Sequence, residues 1–477
     1  MKLKELIDGL NCTFIGDADT EVVGLAIDDK NVKEGYAYFC LVGAKSDGHD
    51  FAKSAICHGA SVIITEKRLN ICKNEIIVPN SRIALSLMSA RFYGDAHKRL
   101  ELIAVTGTNG KTTTTYILKN IFESSGERTA IVGTNGVIIN DKVYESGMTT
   151  PDPIFLHEMF CKMVDQGVQV CVMEASAHAL DLYKLFGLKF AVSIFTNLTQ
   201  DHLDYFGSME KYSKAKQKLF EDNMSQMAVL NADTEFGQAV RRIRKGISFM
   251  YSVGQGGDAY CVKKWYVNGE MCLNVCVLGQ TIQIKTTLIG DYNAKNILAS
   301  VLAAKLLGIS DESICQGLRD VHVPGRFNAY ALPNGALSIV DYAHTPDAVQ
   351  NVLSECRHLT RGRLVVVFGC GGDRDRSKRK IMGQMASTLA DKVYVTSDNP
   401  RFENPLDIIN DICVGLCGSD VEYLREVDRK QAIHMALDEA KDGDVVAILG
   451  KGNENYIDIN GKKLPYSDIE VVKEFLE

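Results

Sequence analysis

Short apolar, β-branched runs recur along the chain, each ending in a loop rich in Gly or Asp and followed by a helical pattern. LIAVTGTNGKTT from Leu102, VQVCVMEASAH from Val168, RLVVVFGCGGDRD from Arg363, DKVYVTSDNPR from Asp391 and DVVAILGKGNE from Asp444 share this form. A strand covered on both faces reads as a continuous apolar run, so the pattern predicts parallel sheets built of βαβ units. Ligands of such sheets sit at the carboxyl ends of the strands. Each of these loops leaves its strand at that end, which is where chemistry is expected. The segment before about residue 98 has strands of its own, YAYFCLVG and SVIITE, and no phosphate loop. After VPGRF at 323–327, a new strand-rich stretch begins at Leu337.

A chain of 477 residues fits about three domains. Its balance of 46% apolar and 24% charged residues excludes wholesale disorder. The net charge of -7 argues against general attraction to nucleic acid or anionic membrane. The basic run Arg241 to Lys245 is expected to be solvated surface. Fourteen cysteines in this length fall far short of a disulfide scaffold, and no C-x-x-C pair occurs. Cys272/Cys276 and Cys413/Cys417 are four apart, which could equally mark one buried helix face. MKLKELIDGL has no apolar signal core, and no run approaches a membrane span. The expectation is a soluble, reduced, cytoplasmic protein.

The strongest chemical signal is Val105-Thr-Gly-Thr-Asn-Gly-Lys-Thr-Thr113, a strand entering a Gly-rich turn and then a helix. Backbone N–H groups of such a turn, with the helix N-terminus, cradle phosphates. Gly107, Thr108, Asn109, Gly110, Lys111, Thr112 and Thr113 are therefore candidate nucleotide contacts. Lys111 is expected to reach the β- and γ-phosphates and Thr112 to hold Mg²⁺ by its hydroxyl. Val105 stands where the common motif has its first glycine, and Gly107 takes the turn instead. A second cluster has Glu174 at the end of one strand, four residues before His178, and Asp201 and His202 after another. Carboxylate and imidazole at neighbouring strand ends can complete a magnesium site with the phosphates. His178 alone reads equally well as a hydrogen-bonded core residue. A third group, Arg374, Arg401 and Glu454, lies on loops of the C-terminal stretch. Two arginines and an acid suit a zwitterionic ligand, because a planar guanidinium donates two parallel hydrogen bonds to a carboxylate.

Taken together these residues resemble the Mur ligase family, bacterial ATP-dependent amide-bond synthetases. The resemblance covers nearly the whole chain: SDGHDFAKSAICHGA from Ser46, TTP at Thr149, MEASAHAL at Met173 and FTNLTQDHLDYFGSMEKYSKAK at Phe195. It continues through GDYNAKN at Gly290, VPGRF, VDYAHTPDA at Val340, GCGGDRD, DNPR and GKGNE. The implied fold is α/β in three domains. A UDP-sugar-peptide domain spans 1–97, a central P-loop ATPase-type parallel sheet 98–326, and a Rossmann-like amino-acid domain 327–477.

The implied activity is ATP-dependent addition of meso-diaminopimelate to UDP-N-acetylmuramoyl-L-Ala-D-Glu through an acyl phosphate, in peptidoglycan precursor synthesis. Thr112, Glu174 and His202 match the family's magnesium ligands, and Lys216 its carbamoylated lysine, with Lys111 completing the catalytic set. Asn293 and Asn296 match residues around the adenine, Arg326 and Asp341 further nucleotide contacts, and His344 a weaker one. Asp29, Ala44, Lys45 and Ser46 align with the uridine site, and Thr149, Thr150, Ser176 and Lys184 with contacts to the muramoyl dipeptide. Arg374, Asp398, Asn399, Pro400, Arg401, Gly450 and Glu454 match the diaminopimelate site. Arg401 discriminates: a lysine substrate has no distal carboxylate and would leave it unpaired. A monomer is expected, without nucleic-acid or membrane partners.

Three positions depart from the family pattern. Asp29 replaces a serine, and would repel a diphosphate unless it points away or binds the uracil edge. Leu182-Tyr183-Lys184 replaces Gln-x-Arg, and Asn453 replaces the histidine of G-K-G-H-E. A lysine-adding ligase, a folylpolyglutamate synthetase type and a nucleotide-binding scaffold without ligation are the alternatives. DNPR and GCGGDRD argue against the first two.

Overall fold

A computed structural model describes residues 1–43, 46–221, 223–254, 256–267 and 269–477. The chain forms three main sheets, each flanked by helices. The first runs in the order Thr13–Ile15, Glu75–Ile77, Ala60–Thr65, Tyr36–Phe39, Gly24–Ala26, parallel except at its first pair. Helix Ser81–Phe92 follows, its first turn capped by Asn80, whose side chain accepts from the N–H of Arg82 and Ile83.

The second sheet centres on six parallel strands in the order Ile247–Ser252, Ser225–Asn231, Phe190–Phe195, Glu101–Thr106, Val170–Glu174, Thr129–Gly133. All but the first are mostly apolar and buried, as two-sided cover requires. Further strands extend both edges: the antiparallel Gly136–Ile139 and Lys142–Tyr144 on one side, and on the other the antiparallel meander Ala259–Val267, Glu270–Val277, Gln280–Thr286, whose first strand pairs in parallel with Ile247–Ser252. Cys272 and Cys276 lie on this meander, so their spacing marks one side of a strand, not of a helix.

From strand Glu101–Thr106 the chain first builds the sheet to one side, through Thr129–Gly133 and Val170–Glu174. It then crosses to the other side with Phe190–Phe195. This reversal is a topological switch point, where loops from adjacent strands separate and leave a crevice. The phosphate loop, Glu174 and the 196–202 loop all leave strands there.

The third sheet has the order Asn328–Ala331, Leu337–Asp341, Val445–Leu449, Leu364–Phe368, Lys392–Val395, Glu422–Arg425, parallel after an antiparallel first pair. It begins at Asn328, earlier than the expected Leu337. The loops after Leu337–Asp341, Leu364–Phe368, Lys392–Val395 and Val445–Leu449 thereby lie side by side. Behind them Arg429 and Asp468, both fully buried, join two helices through hydrogen bonds of 2.8 and 2.7 Å.

One buried pair on the second sheet ties stability to pH. His157, on helix Pro153–Asp165, packs edge-on against His97 with ring centroids 5.3 Å apart. His157 Nε2 has no hydrogen-bond partner among the described residues, and burial pushes its pKa down to about 3. The unfolded chain therefore binds a proton here below about pH 6.5 that the folded chain takes up only near pH 3. Stability should fall as pH drops through that window, by up to about 1.4 kcal/mol per pH unit from this group. Urea midpoints measured from pH 7 to 4 should show a shallower acid limb for His157→Phe than for the wild type.

Candidate active site

Strand Glu101–Thr106 delivers the phosphate loop, and helix Lys111–Ser124 starts directly behind it. Gly110, the residue before the helix, has φ +85°, and a Cβ there would collide with the Asn296 side chain. A left-handed residue with no side chain is what this turn demands. Asn109 fastens the loop: its N–H donates to Asn197 Oδ1 at 2.9 Å, and its carbonyl accepts from Thr196 Oγ1 at 2.6 Å. Lys111 curls over the loop and donates to the carbonyls of Gly107 at 2.9 Å and Thr108 at 2.8 Å. Burial lowers its pKa, and the carboxylates of Glu174 and Asp201 oppose the fall. Thr113, next in the helix, is buried.

Glu174 is almost fully buried at the end of its strand. Its Oε1 accepts from Thr112 Oγ1 and from the Thr134 N–H, both at 2.9 Å. Its Oε2 accepts from Thr134 Oγ1 at 3.2 Å. Lys216, 1% exposed on helix Met209–Gln217, donates to the same Gly107 carbonyl at 2.8 Å and lies over the Tyr212 ring. Two lysines thus converge on one carbonyl oxygen. Burial, and after it the Lys111 cation, push Lys216 well below the ordinary lysine range. Its amine is accordingly a nucleophile able to add CO₂. His202 (φ +55°) stands edge-on to His178 with centroids 4.8 Å apart, and His178 also packs against Tyr205 and Phe206. Burial pushes His202 down to about 3, leaving a neutral imidazole with a lone pair for a cation. Among the described residues no three His, Cys, Asp or Glu side chains form a ready metal site. A divalent ion here would draw on Glu174 and His202 together with the Thr112 hydroxyl and a modified Lys216, oxygen-rich donors that suit Mg²⁺.

The phosphate loop, Glu174 and His202 line a cavity of about 430 Å³ reaching from the second sheet to the third. Asn293 and Asn296, both buried on helix Asp291–Leu306, form one wall; Arg326, Asp341 and His344 form another. Arg326 donates to Thr112 Oγ1 at 3.2 Å and stacks on the Tyr342 ring at 4.3 Å. Asp341 accepts from the N–H groups of Phe327 and Ala343, each at 2.7 Å. Burial raises its pKa, while Arg326 and these two donors oppose the rise. His344 is fixed by the Tyr342 carbonyl at 2.9 Å and faces Asp201 at 3.9 Å. One residue absent from the expected set spans the two units: Asp347 accepts from Asn109 Nδ2 at 2.9 Å. It lies within VDYAHTPDA, but nothing in that run singles out its side chain.

The residues aligned with the dipeptide gather beside Glu174. Thr149 Oγ1 lies 3.2 Å from Thr134 Oγ1. Thr150 donates to the Glu174 carbonyl at 2.8 Å and sits 3.1 Å from Ser176 Oγ. Lys184 is buried and paired with Asp152 at 2.7 Å, so its charge is already balanced. Asp29 and Ser46 lie on the first sheet's unit, and no hydrogen bond or ion pair joins them to this group among the described residues. The Asp29 carboxylate accepts from Ser54 Oγ at 2.6 Å within its own unit. Ser46 is exposed, its carbonyl accepting from the Gly43 N–H at 2.9 Å. Ala44 and Lys45 fall outside the described residues.

The third sheet brings the remaining candidates together. Arg401 (φ +51°) donates through Nη1 to the Gly372 carbonyl at 2.6 Å; its Nε and Nη2 have no hydrogen bond among the described residues. Pro400 precedes it, and the Arg401 N–H is tied to the Asp458 carbonyl at 3.0 Å. Asn399 Nδ2 donates to Glu454 Oε2 at 2.9 Å. Gly450 has φ +120°, and a Cβ on it would lie 2.6 Å from Asp398 Oδ2. Asn453 packs by its backbone against Gly325 of the VPGRF turn, so the replaced histidine position is a joint between units. Arg374 meets Asp204 of the second sheet's unit at 3.5 Å. Asp204 competes with any incoming carboxylate for Arg374, an exposed pairing worth about 0–1 kcal/mol. Asp204→Asn should therefore lower the KM for a carboxylate-bearing amine by up to about fivefold, measured by initial rates.

Three family profiles match the chain: Mur ligase family, catalytic domain, at residues 21–93; Mur ligase middle domain at 105–304; and Mur ligase, glutamate ligase domain, at 325–452. The chain is 41% identical over 455 residues to the UDP-N-acetylmuramoyl-L-alanyl-D-glutamate–2,6-diaminopimelate ligase of Aquifex aeolicus, covering 95% of this chain and 94% of that one. It is 40% identical over 485 residues to a ligase of the same name from Clostridium acetobutylicum, covering 100% and 99%. A solved structure of a ligase so named superposes with a TM-score of 0.70 at 31% identity, covering 100% of this chain and 98% of that one.

Proposed function

The chain belongs to the Mur ligase family, and on that premise we propose that it joins meso-diaminopimelate to UDP-N-acetylmuramoyl-L-Ala-D-Glu, driven by ATP, in peptidoglycan precursor synthesis. The observation carrying this reading is one cavity in which a phosphate loop, Glu174 and His202 face the Arg326, Asp341 and His344 wall, with Lys216 bound to the Gly107 carbonyl of that loop and carboxylate-reading arginines on adjacent loops of the same third sheet.

A dipeptide carboxylate oxygen attacks the γ-phosphorus, ADP leaves, and an acyl phosphate forms. The amine adds to the acyl carbon, loses a proton, and collapse of the tetrahedral intermediate breaks the C–O bond and releases phosphate. The loop amides of 107–113 and Lys111 hold the phosphates where negative charge develops. Asn293, Asn296, Arg326 and Asp341 hold the nucleoside. Thr149, Thr150, Ser176 and Lys184 orient the dipeptide, and Asp29 with 44–46 takes the uridine end. Mg²⁺, held by Thr112, Glu174, His202 and a carbamate on Lys216, would neutralise phosphate charge. Arg374 and Arg401 read the carboxylates of the diamino acid, and Asp398, Asn399, Pro400, Gly450 and Glu454 shape the rest of its site.

The units 1–97, 98–326 and 327–477 divide these tasks and close around the acyl phosphate. The protein works as a cytoplasmic monomer. Among the described residues no helix is long and apolar enough to cross a membrane. The test is phosphate release: it should require ATP, Mg²⁺, the UDP-sugar dipeptide and meso-diaminopimelate together. Release that ignores the amine or the dipeptide would refute ligation.

A further inference from the structure

The loops after Lys392–Val395 and Val445–Leu449 enclose a cation that the reading above gives no task. Lys451 is fully buried. Its ammonium donates to Asn399 Oδ1 and to Glu454 Oε2, each at 3.0 Å, and lies 3.6 Å from Asp398 Oδ1. Asn399 is itself fixed. Its Oδ1 also accepts from the Asp458 N–H at 2.9 Å, so its amide NH₂ must face Glu454, where Nδ2 donates to the same Oε2 at 2.9 Å. One oxygen of Glu454 is therefore held twice. The other, Oε1, has no partner among the described residues, on a side chain 21% exposed.

Arg429 and Asp468 cancel as a closed pair. Burial would raise the Asp398 carboxyl, but the cations of Lys451 and Arg429 outweigh it and hold it below its ordinary value, so Asp398 is anionic. Asp398 and Glu454 then share a single ammonium, Lys451, and the Arg401 guanidinium pairs with neither carboxylate among the described residues. Glu454 keeps one oxygen free, and Arg401, two residues after Asn399, keeps Nε and Nη2 uncommitted among the described residues. An ammonium and a carboxylate on one carbon would satisfy both.

We propose that Lys451 is a positioning residue for amine selection: with Asn399 it pins Glu454 Oε2 so that Oε1 is presented to the second, non-reacting ammonium of the diamino acid. This rests on the ligase reading given above. Lys451 touches no substrate; it fixes the direction of the carboxylate that does.

The experiment compares meso-diaminopimelate with 2-aminopimelate, which keeps both carboxylates and one amine but lacks the second ammonium. Wild-type kcat/KM should favour meso-diaminopimelate by about tenfold to a hundredfold, the worth of a hydrogen bond to a charged group. Lys451→Met should raise the KM for meso-diaminopimelate by a similar factor, with KM for ATP and use of 2-aminopimelate changed less than about threefold. The preference would thus collapse. Lys451→Gln, which keeps a donor to Asn399 and removes the charge, covers the case in which the Met variant does not fold. It should narrow the preference by at least about threefold. Equal losses on both amines in the folded variant would show a merely structural lysine and overturn the proposal, as would a wild type indifferent to the second ammonium. A wild type that ligates neither amine would instead bring down the ligase reading itself.

Discussion

Lys216→Met should lower kcat by about 10²–10³-fold, the usual cost of removing one preorganised electrostatic group from a transition state, with little change in fold. The expectation follows from the crowding of cations at the phosphate loop. Lys216 and Lys111 both donate to the Gly107 carbonyl, at 2.8 and 2.9 Å. Two ammonium groups on one oxygen, one of them fully buried, are an arrangement that sheds a proton, and Lys216 is the group pushed far down. A neutral buried amine adds CO₂, and the carbamate would exchange like-charge repulsion for attraction to Lys111 and supply an anionic oxygen beside Glu174 and His202. Methionine fills the same apolar path without this chemistry. Carbon-13 NMR in labelled bicarbonate should show a carbamate carbon in the wild type and none in Lys216→Met. A variant that keeps full activity would remove Lys216 from the account.

Arg401→Ala should erase the choice between amines. The guanidinium has one edge committed to the Gly372 carbonyl and the other free, a geometry ready for a carboxylate. Lysine offers none, and leaving one partner of such a pair unsatisfied costs about 2–5 kcal/mol, or roughly thirtyfold to several-thousandfold in selection. The wild type should prefer meso-diaminopimelate over L-lysine by a factor in that range. In Arg401→Ala the kcat/KM for meso-diaminopimelate should fall by most of it, while that for lysine stays within about threefold. Both are read from amine-dependent phosphate release. Equal use of lysine by the wild type would end the role given to Arg401.

What could be read from the chain alone depended on whether the signal was local. The parallel strands announced themselves because a strand buried on both faces must be apolar throughout, and Leu364–Phe368 and Val445–Leu449 are. The phosphate loop was legible because turn, lysine and helix start are contiguous. The edge hairpins of the second sheet were passed over although signals existed: an Asn268-Gly269 pair and the alternation of Gln280–Thr286. Their half-exposed strands lack the continuous apolar run. Lys216 looks like any lysine on an amphipathic helix, and only its neighbours in space make it unusual. Asp347 and Lys451 lie inside quoted motifs, VDYAHTPDA and GKGNE, but were not singled out, because Asn109 and Asn399, which they meet in space, lie 238 and 52 residues away. The hydrogen bond of Asp29 to Ser54, on a different element, was equally hidden in the sequence. The pairing of Lys184 with Asp152 was likewise invisible before the Thr149 loop was placed against it.

The central claim is amide ligation through an acyl phosphate, and isotope transfer tests it most directly. The UDP-sugar dipeptide is labelled with ¹⁸O in the reacting glutamate carboxylate and turned over with ATP, Mg²⁺ and meso-diaminopimelate, and the released phosphate is examined by mass spectrometry. If that carboxylate oxygen attacks the γ-phosphorus and later leaves with it, each molecule of phosphate carries one oxygen from the carboxylate. Phosphate released without label while amide forms would contradict the acyl phosphate. Phosphate released without amide would contradict ligation.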